Sequence, residues 1–161
     1  MPPNTFSLNL GADGKLPLRY SGLPEVGAVG IYVFREDKEI IRIGESSSGL
    51  KRIISGFRVR FRSMRNELER KNYTAYHWRE DYAGRSVDVD FFELDPVTFA
   101  DSHIRRALEA ELTFQVRLAQ KKWPKLMSEI HFLEKYRVDP SVVDAAKDIL
   151  THYGHVYDSV S

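Results

Sequence analysis

Two apolar runs flanking four charged residues constrain this chain more than any other feature. Ala28-Val29-Gly30-Ile31-Tyr32-Val33-Phe34 is followed by Arg35-Glu36-Asp37-Lys38 and then by Glu39-Ile40-Ile41-Arg42-Ile43-Gly44. β-branched and aromatic side chains at this density suit a pleated, half-buried surface, and the short charged break suits a turn, so the pattern predicts a β-hairpin. With the turn centred on Asp37, Tyr32 falls directly across from Arg42 on one face of the hairpin.

The remaining elements arrange themselves around it. The first 27 residues hold four glycines and four prolines, with an alternating stretch Phe6-Ser7-Leu8-Asn9-Leu10 that reads as an arm or edge strand. After the hairpin, Ser46-Ser47-Ser48-Gly49 offers helix-capping side chains, and Leu50, Ile53, Ile54 and Phe57 follow at helical spacing, so a helix starts near residue 49. Beyond Gly56, Phe57, Val59 and Phe61 alternate with arginines as in a strand, while Phe57, Phe61, Met64 and Leu68 also fit a helix. Helix formers over residues 63 to 71 favour the helix. Strands are predicted at 74 to 79 and at 86 to 94, where Val87, Val89 and Phe91 alternate with Asp88 and Asp90. A long helix should run from after Pro96 to about Lys122, with Pro124 marking its end, and a last helix over residues 140 to 152. No repeat or linker interrupts the 161 residues, so the expectation is one domain of α/β or α+β class.

Charge decides what such a domain could bind. The total is nearly balanced, 24 basic against 23 acidic residues, but residues 51 to 72 carry 8 basic and 2 acidic side chains, a +6 segment in a remainder of −5. Such a run is either a solvated helix face or a phosphate-binding surface. On the helical reading Lys51, Arg58, Arg62 and Arg65 share one stripe. The absence of cysteine excludes disulfides, thiolate catalysis and cysteine-based metal centres. No apolar run is long enough to span a membrane, and the opening MPPNTFSLNL lacks the basic and apolar regions of a secretory signal, so a cytoplasmic protein is expected.

Gly30-Ile31-Tyr32, nine further residues, Arg42-Ile43-Gly44, a small polar loop and then Arg52 together resemble the core signature of the GIY-YIG nuclease superfamily. The resemblance spans roughly residues 29 to 132, about two-thirds of the chain. It implies a core with a small antiparallel three-stranded sheet flanked by helices, and hydrolysis of DNA phosphodiester bonds with Mg²⁺ or another divalent cation such as Mn²⁺. It divides the chain into an N-terminal arm (1–27), a nuclease-like domain (28–134) and a helical extension of that domain (135–161). Position by position, Tyr32 matches the first motif tyrosine, Arg52 the arginine of the first helix, and Glu109 the metal-binding glutamate. Glu111 is the other candidate for that last role, but Leu108 and Leu112 frame Glu109 with the apolar pattern the family shows.

These residue types suit the chemistry. Phosphodiester hydrolysis needs an activated water, stabilisation of charge on the phosphoryl oxygens and help for the departing oxygen. Glu109 would give Mg²⁺ one hard oxygen ligand, sufficient for an ion that retains most of its waters. Arg52 presents a permanently charged planar fork to phosphate oxygens. Tyr32 would act as general base or water-orienting group, although a phenol with its ordinary pKa of about 10 is a weak base at neutral pH. Lys51, Arg58, Arg60, Arg62 and Arg65 would hold DNA phosphates.

The chain departs from the family pattern at two places. Arg42 stands where the second motif begins with tyrosine, and Gly56 stands where some members carry a further proton-transfer group four residues after the helix arginine. A guanidinium beside a phenol favours the phenolate, so Arg42 is expected to assist catalysis by polarising Tyr32 or the scissile phosphate. The substitution equally suits a nucleic-acid-binding module that keeps the fold without the chemistry. Ordinary structural roles compete throughout. Glu109 could pair with Arg105 or Arg106 on its own helix, Asp88 and Asp90 could line an exposed strand face, and the five histidines are too scattered for a metal site. With little chain outside the core, specificity for DNA would come from loops, a partner or a second copy in a homodimer.

Overall fold

The computed structural model of the chain describes residues 2–12, 23–54, 81–127 and 129–159. The predicted strand at 74 to 79 and the stretch beyond Gly56 lie outside the described residues. Four antiparallel strands are present among the described residues, β1 (Asn4–Asn9), β2 (Gly30–Glu36), β3 (Glu39–Ser46) and β4 (Ser86–Glu93), in the order β1-β4-β2-β3. Three helices follow them, α1 (Ser102–Gln120), α2 (Glu134–Arg137) and α3 (Pro140–His152), and a further helix opens at residue 50, described as far as 54. The class is α+β, with four strands where three were expected. The added strand is the alternating N-terminal stretch, whose residues pair with β4 from Asn4↔Phe91 to Asn9↔Ser86.

The hairpin forms, but its register differs from the expected one. Asp37 and Lys38 make a two-residue turn, with Asp37 at φ +50°, a left-handed conformation that aspartate tolerates. Glu36 therefore pairs with Glu39 and Arg35 with Ile40, and an irregularity after Phe34 lets Ile41 bulge out of the ladder. The two displacements together set Tyr32 opposite Gly44 and Arg42 opposite Phe34. Arg42 is thus a diagonal neighbour of Tyr32 and not its partner. The bulge also explains why Ile41 and Ile43, two residues apart, bury on opposite faces of the sheet.

Each face carries its own core. Tyr32, Phe34, Val89 and Phe91 pack with Leu8, Leu50 and Tyr82 on one side. Ile31, Val33, Ile43 and Phe92 pack with Leu108 and Leu112 of α1 and Val142 of α3 on the other. Capping fixes where the helices begin: Asp101 accepts the His103 N–H at 2.8 Å, and Asp139 accepts the Ser141 N–H at 2.9 Å just ahead of Pro140.

β1 and β2 flank β4 on its two edges, and its two aspartates differ: the Asp88 side chain is 39% exposed, whereas Asp90 is covered on its face by Tyr153. Asp90 is 1% exposed. It accepts hydrogen bonds from Arg35 Nε at 2.8 Å, Tyr153 Oη at 2.7 Å and Thr5 Oγ1 at 2.7 Å, and so ties three parts of the chain together. Burial alone would raise its carboxyl pKa, but these donors outweigh that cost and hold it below the usual value.

Candidate functional site

The outer edge of β3 is where the sheet meets α1, and its N–H groups at Ile40, Ile43 and Glu45 each have an acceptor. Gln120 brackets Ile40, accepting its N–H at 2.8 Å and donating to its carbonyl at 3.1 Å. The Ile41 carbonyl accepts the Leu126 N–H at 2.9 Å, and the Ile43 N–H points to Met127 Sδ at 3.3 Å. The last outward amide, that of Glu45, donates to Glu109 Oε2 at 3.0 Å. A side-chain carboxylate thus closes one end of an edge that a side-chain amide, backbone and a thioether close elsewhere.

This contact places Glu109 at the end of β3, beside the loop that leads into the helix at residue 50. Its carboxyl pKa is raised, first by burial; the Arg42 guanidinium, the Glu45 N–H and the Arg52 guanidinium pull in the opposite direction, and the Glu45 carboxylate adds to the rise. Arg42 from β3 and Arg52 from the helix therefore both lie within electrostatic reach of the same half-buried carboxylate. The ordinary pairing of Glu109 with Arg105 on its own helix does not form. Arg105, 5% exposed, donates instead to Glu45 Oε2 at 2.8 Å and to the carbonyls of Phe99 and Ala100 at 2.8 and 2.6 Å. Arg106 is exposed.

Tyr32 reaches the same end of β3 from the other face. Its ring and hydroxyl lie over Gly44, where an added Cβ would overlap the phenol itself. Tyr32 is 7% exposed, and its ring packs against Phe34 at 5.4 Å. Gly44 and Glu45 are consecutive, so the phenol and the Glu109 carboxylate are set by neighbouring residues of one strand. The polar loop that follows is shaped by Ser46, whose hydroxyl donates to the Gly49 carbonyl at 2.8 Å and accepts the Ser48 N–H at 3.1 Å. Gly49, at φ +57°, then donates to the Ala28 carbonyl at 2.7 Å, which docks the helix start against the strand before it.

The two glutamates of α1 have different surroundings. Glu111 is 3% exposed, and its Oε1 accepts from Gln115 and from Tyr157, each at 3.0 Å, while Arg137 Nε lies 3.8 Å from Oε2. Burial and the bond to Glu111 push the Tyr157 phenol up to about 12. Gln115 also exchanges two hydrogen bonds with the backbone of Asp158, so Glu111 belongs to the clasp that holds the C-terminal tail. Lys51 and Arg52 are exposed on the first helical turn, whereas Arg58, Arg60, Arg62 and Arg65 lie outside the described residues. The pair that sequence reasoning did not single out is Glu45 with Arg105; the position of Arg105 one turn before Glu109 was the signal that could have found it.

No group of three or more histidine and acidic side chains suited to a metal ion occurs among the described residues. Glu109 nonetheless has the donor chemistry for Mg²⁺: one hard carboxylate, whose Oε1 takes no hydrogen bond from a described residue, at a partly open position where water could complete the shell. No helix among the described residues is long and apolar enough to cross a membrane. Comparison with family models, with curated proteins and with solved structures finds no match to this chain.

Proposed function

We propose that the protein is a divalent-metal-dependent DNA endonuclease resembling the GIY-YIG nucleases, acting at the end of β3. The observation that carries this reading is the convergence on one carboxylate: Glu109 from α1 is anchored to the β3 backbone and sits in the field of Arg42 and Arg52. Two guanidinium groups within electrostatic reach of a carboxylate suit a phosphodiester that must be bound as an anion and stabilised as its charge grows. Glu109 would hold the metal through its carboxylate. Bound there, Mg²⁺ would supply an acidified water and draw charge from a phosphoryl oxygen. Arg52, exposed on the helical turn, receives the scissile phosphate, and Arg42, diagonal to Tyr32 on the sheet, assists it. Tyr32, fixed over Gly44, orients the attacking water or accepts its proton. Lys51 and the arginines at 58, 60, 62 and 65 hold the flanking phosphates.

A second reading, a nucleic-acid-binding module without catalysis, draws on the burial of Tyr32 and on Arg42 at the motif position. Incubating supercoiled plasmid and Mg²⁺ with the wild type, Glu109→Ala and Tyr32→Phe separates the two. Nicking by the wild type alone supports the enzyme, and salt-sensitive binding by all three without nicking supports the module. A protein that neither binds nor cuts DNA excludes both.

A further inference from the structure

Away from β3, a cleft of about 200 Å³ opens between the end of β4, the turn after it and α3. Ser141, Asp144, Ala145, Asp148 and Ile149 line it from α3 at the spacing of a single helical face. Its floor is apolar, formed by Phe92, Leu94, Phe99 and Ile149. Its rim carries Glu93 and Asp95 on one side and Asp144 and Asp148 on the other, with no basic residue among the lining side chains.

The rim carboxylates are not all occupied by the fold. Glu93 accepts the Gly27 N–H at 2.7 Å, and Asp95 accepts the Thr98 N–H at 2.7 Å. The carboxylates of Asp144 and Asp148 are exposed and make no hydrogen bond or ion pair with another described residue. They stand four apart on α3, an arrangement of like charges that weakens a helix. Lys147, the cation beside them in sequence, sits over the Tyr157 ring, 5.7 Å from its centroid.

We propose that this cleft docks a segment of a partner protein that inserts one apolar side chain and flanks it with lysine or arginine. Charge complementarity selects the partner, because two acidic walls over an apolar floor attract cations and repel phosphates, which excludes nucleic acid and anionic lipid. Size selects the mode of binding. The cleft is smaller than the roughly 300–1,000 Å³ of sites that engulf a small molecule, and it suits one anchor residue of the kind that dominates protein interfaces. The inference is independent of the nuclease reading, since none of the residues at the end of β3 lines the cleft.

Fluorescein-labelled peptides Gly-Lys-Arg-X-Lys-Arg-Gly, with X as Leu, Phe or Trp, test it by anisotropy at protein concentrations up to about 1 mM. At least one of them should bind, and replacing X by Gly, or the four cations by Glu, should weaken it about tenfold or more. Ala145→Trp, which fills the cleft, should do the same, as should Asp144→Asn with Asp148→Asn, each checked for native circular dichroism. The two aspartate replacements leave the apolar packing intact, so they keep the test open should the Trp variant fail to fold. The proposal is overturned by absence of binding for all three peptides, by equal binding of the Gly peptide, or by binding indifferent to the aspartate replacements. A self-association in sedimentation that Ala145→Trp abolishes would assign the cleft to a second copy of the chain and overturn it equally.

Discussion

Glu109 Oε2 and the Glu45 N–H meet at 3.0 Å, and this bond joins the middle of α1 to the outer edge of β3. The carboxylate that the metal chemistry would use is therefore also a structural acceptor. Its position is set by two packed elements and not by a surface rotamer, which is what a preorganised ligand requires.

The two roles separate by substitution. Glu109→Gln keeps an oxygen for the Glu45 N–H and removes the charge, whereas Glu109→Ala removes both. The Gln variant should unfold in urea within about 1 kcal/mol of the wild type, while the Ala variant should lose about 1–3 kcal/mol from the stranded amide. Neither should nick plasmid DNA at any Mg²⁺ concentration.

Gly44 makes a second relationship measurable. A Cβ at this position would overlap the Tyr32 ring, so Gly44→Ala should destabilise the protein by about 1–3 kcal/mol through overpacking. In a Tyr32→Ala background the same change should cost much less, and a double-mutant cycle of urea midpoints reads the coupling. Equal costs in both backgrounds would show that the ring does not lie over Gly44 in solution.

Much of this arrangement was legible in the chain. β-branched density marked the hairpin, the stretch between Pro96 and Pro124 marked α1, residues 140 to 152 marked α3, and the alternation around Val87, Val89 and Phe91 marked β4, while the capping aspartates Asp101 and Asp139 emerged only in the structure. The register was not legible. A two-residue turn and one bulged residue each shift the pairing, and neither changes the apolar pattern enough to be read in advance. Asp90 misled for a related reason. Alternation gives the face of a residue, not what covers that face, and the cover comes from Tyr153, distant in sequence. The relation of Glu45 to Arg105 depends in the same way on how α1 lies along β3.

That relation carries its own prediction. The side chains of Arg105 and Glu45 are 6% and 11% exposed, so removing one leaves the other buried and uncompensated. Arg105→Met should cost about 3–5 kcal/mol in urea unfolding. Replacing both, with Glu45→Met added, should restore much of that loss, because the backbone N–H that holds Glu109 remains and no buried charge is left alone.

Asp90 sets a pH dependence whose sign follows from its partners. The donors Arg35, Tyr153 and Thr5 outweigh the cost of burial, so the native carboxyl titrates below its ordinary value of 3.8. The unfolded chain then binds a proton more readily than the native one, and stability must fall as pH drops from that ordinary value through the lower native one. Above the window the contribution is fully present, and below it the contribution is gone. Asp90→Asn removes this titration while keeping one acceptor oxygen. The stability difference between wild type and variant should therefore be constant from neutral pH to about pH 5 and shrink steadily toward about pH 3. Urea unfolding across that range measures it, and a difference that stays constant down to the acid limit would mean that Arg35 does not hold the Asp90 carboxylate in its charged form.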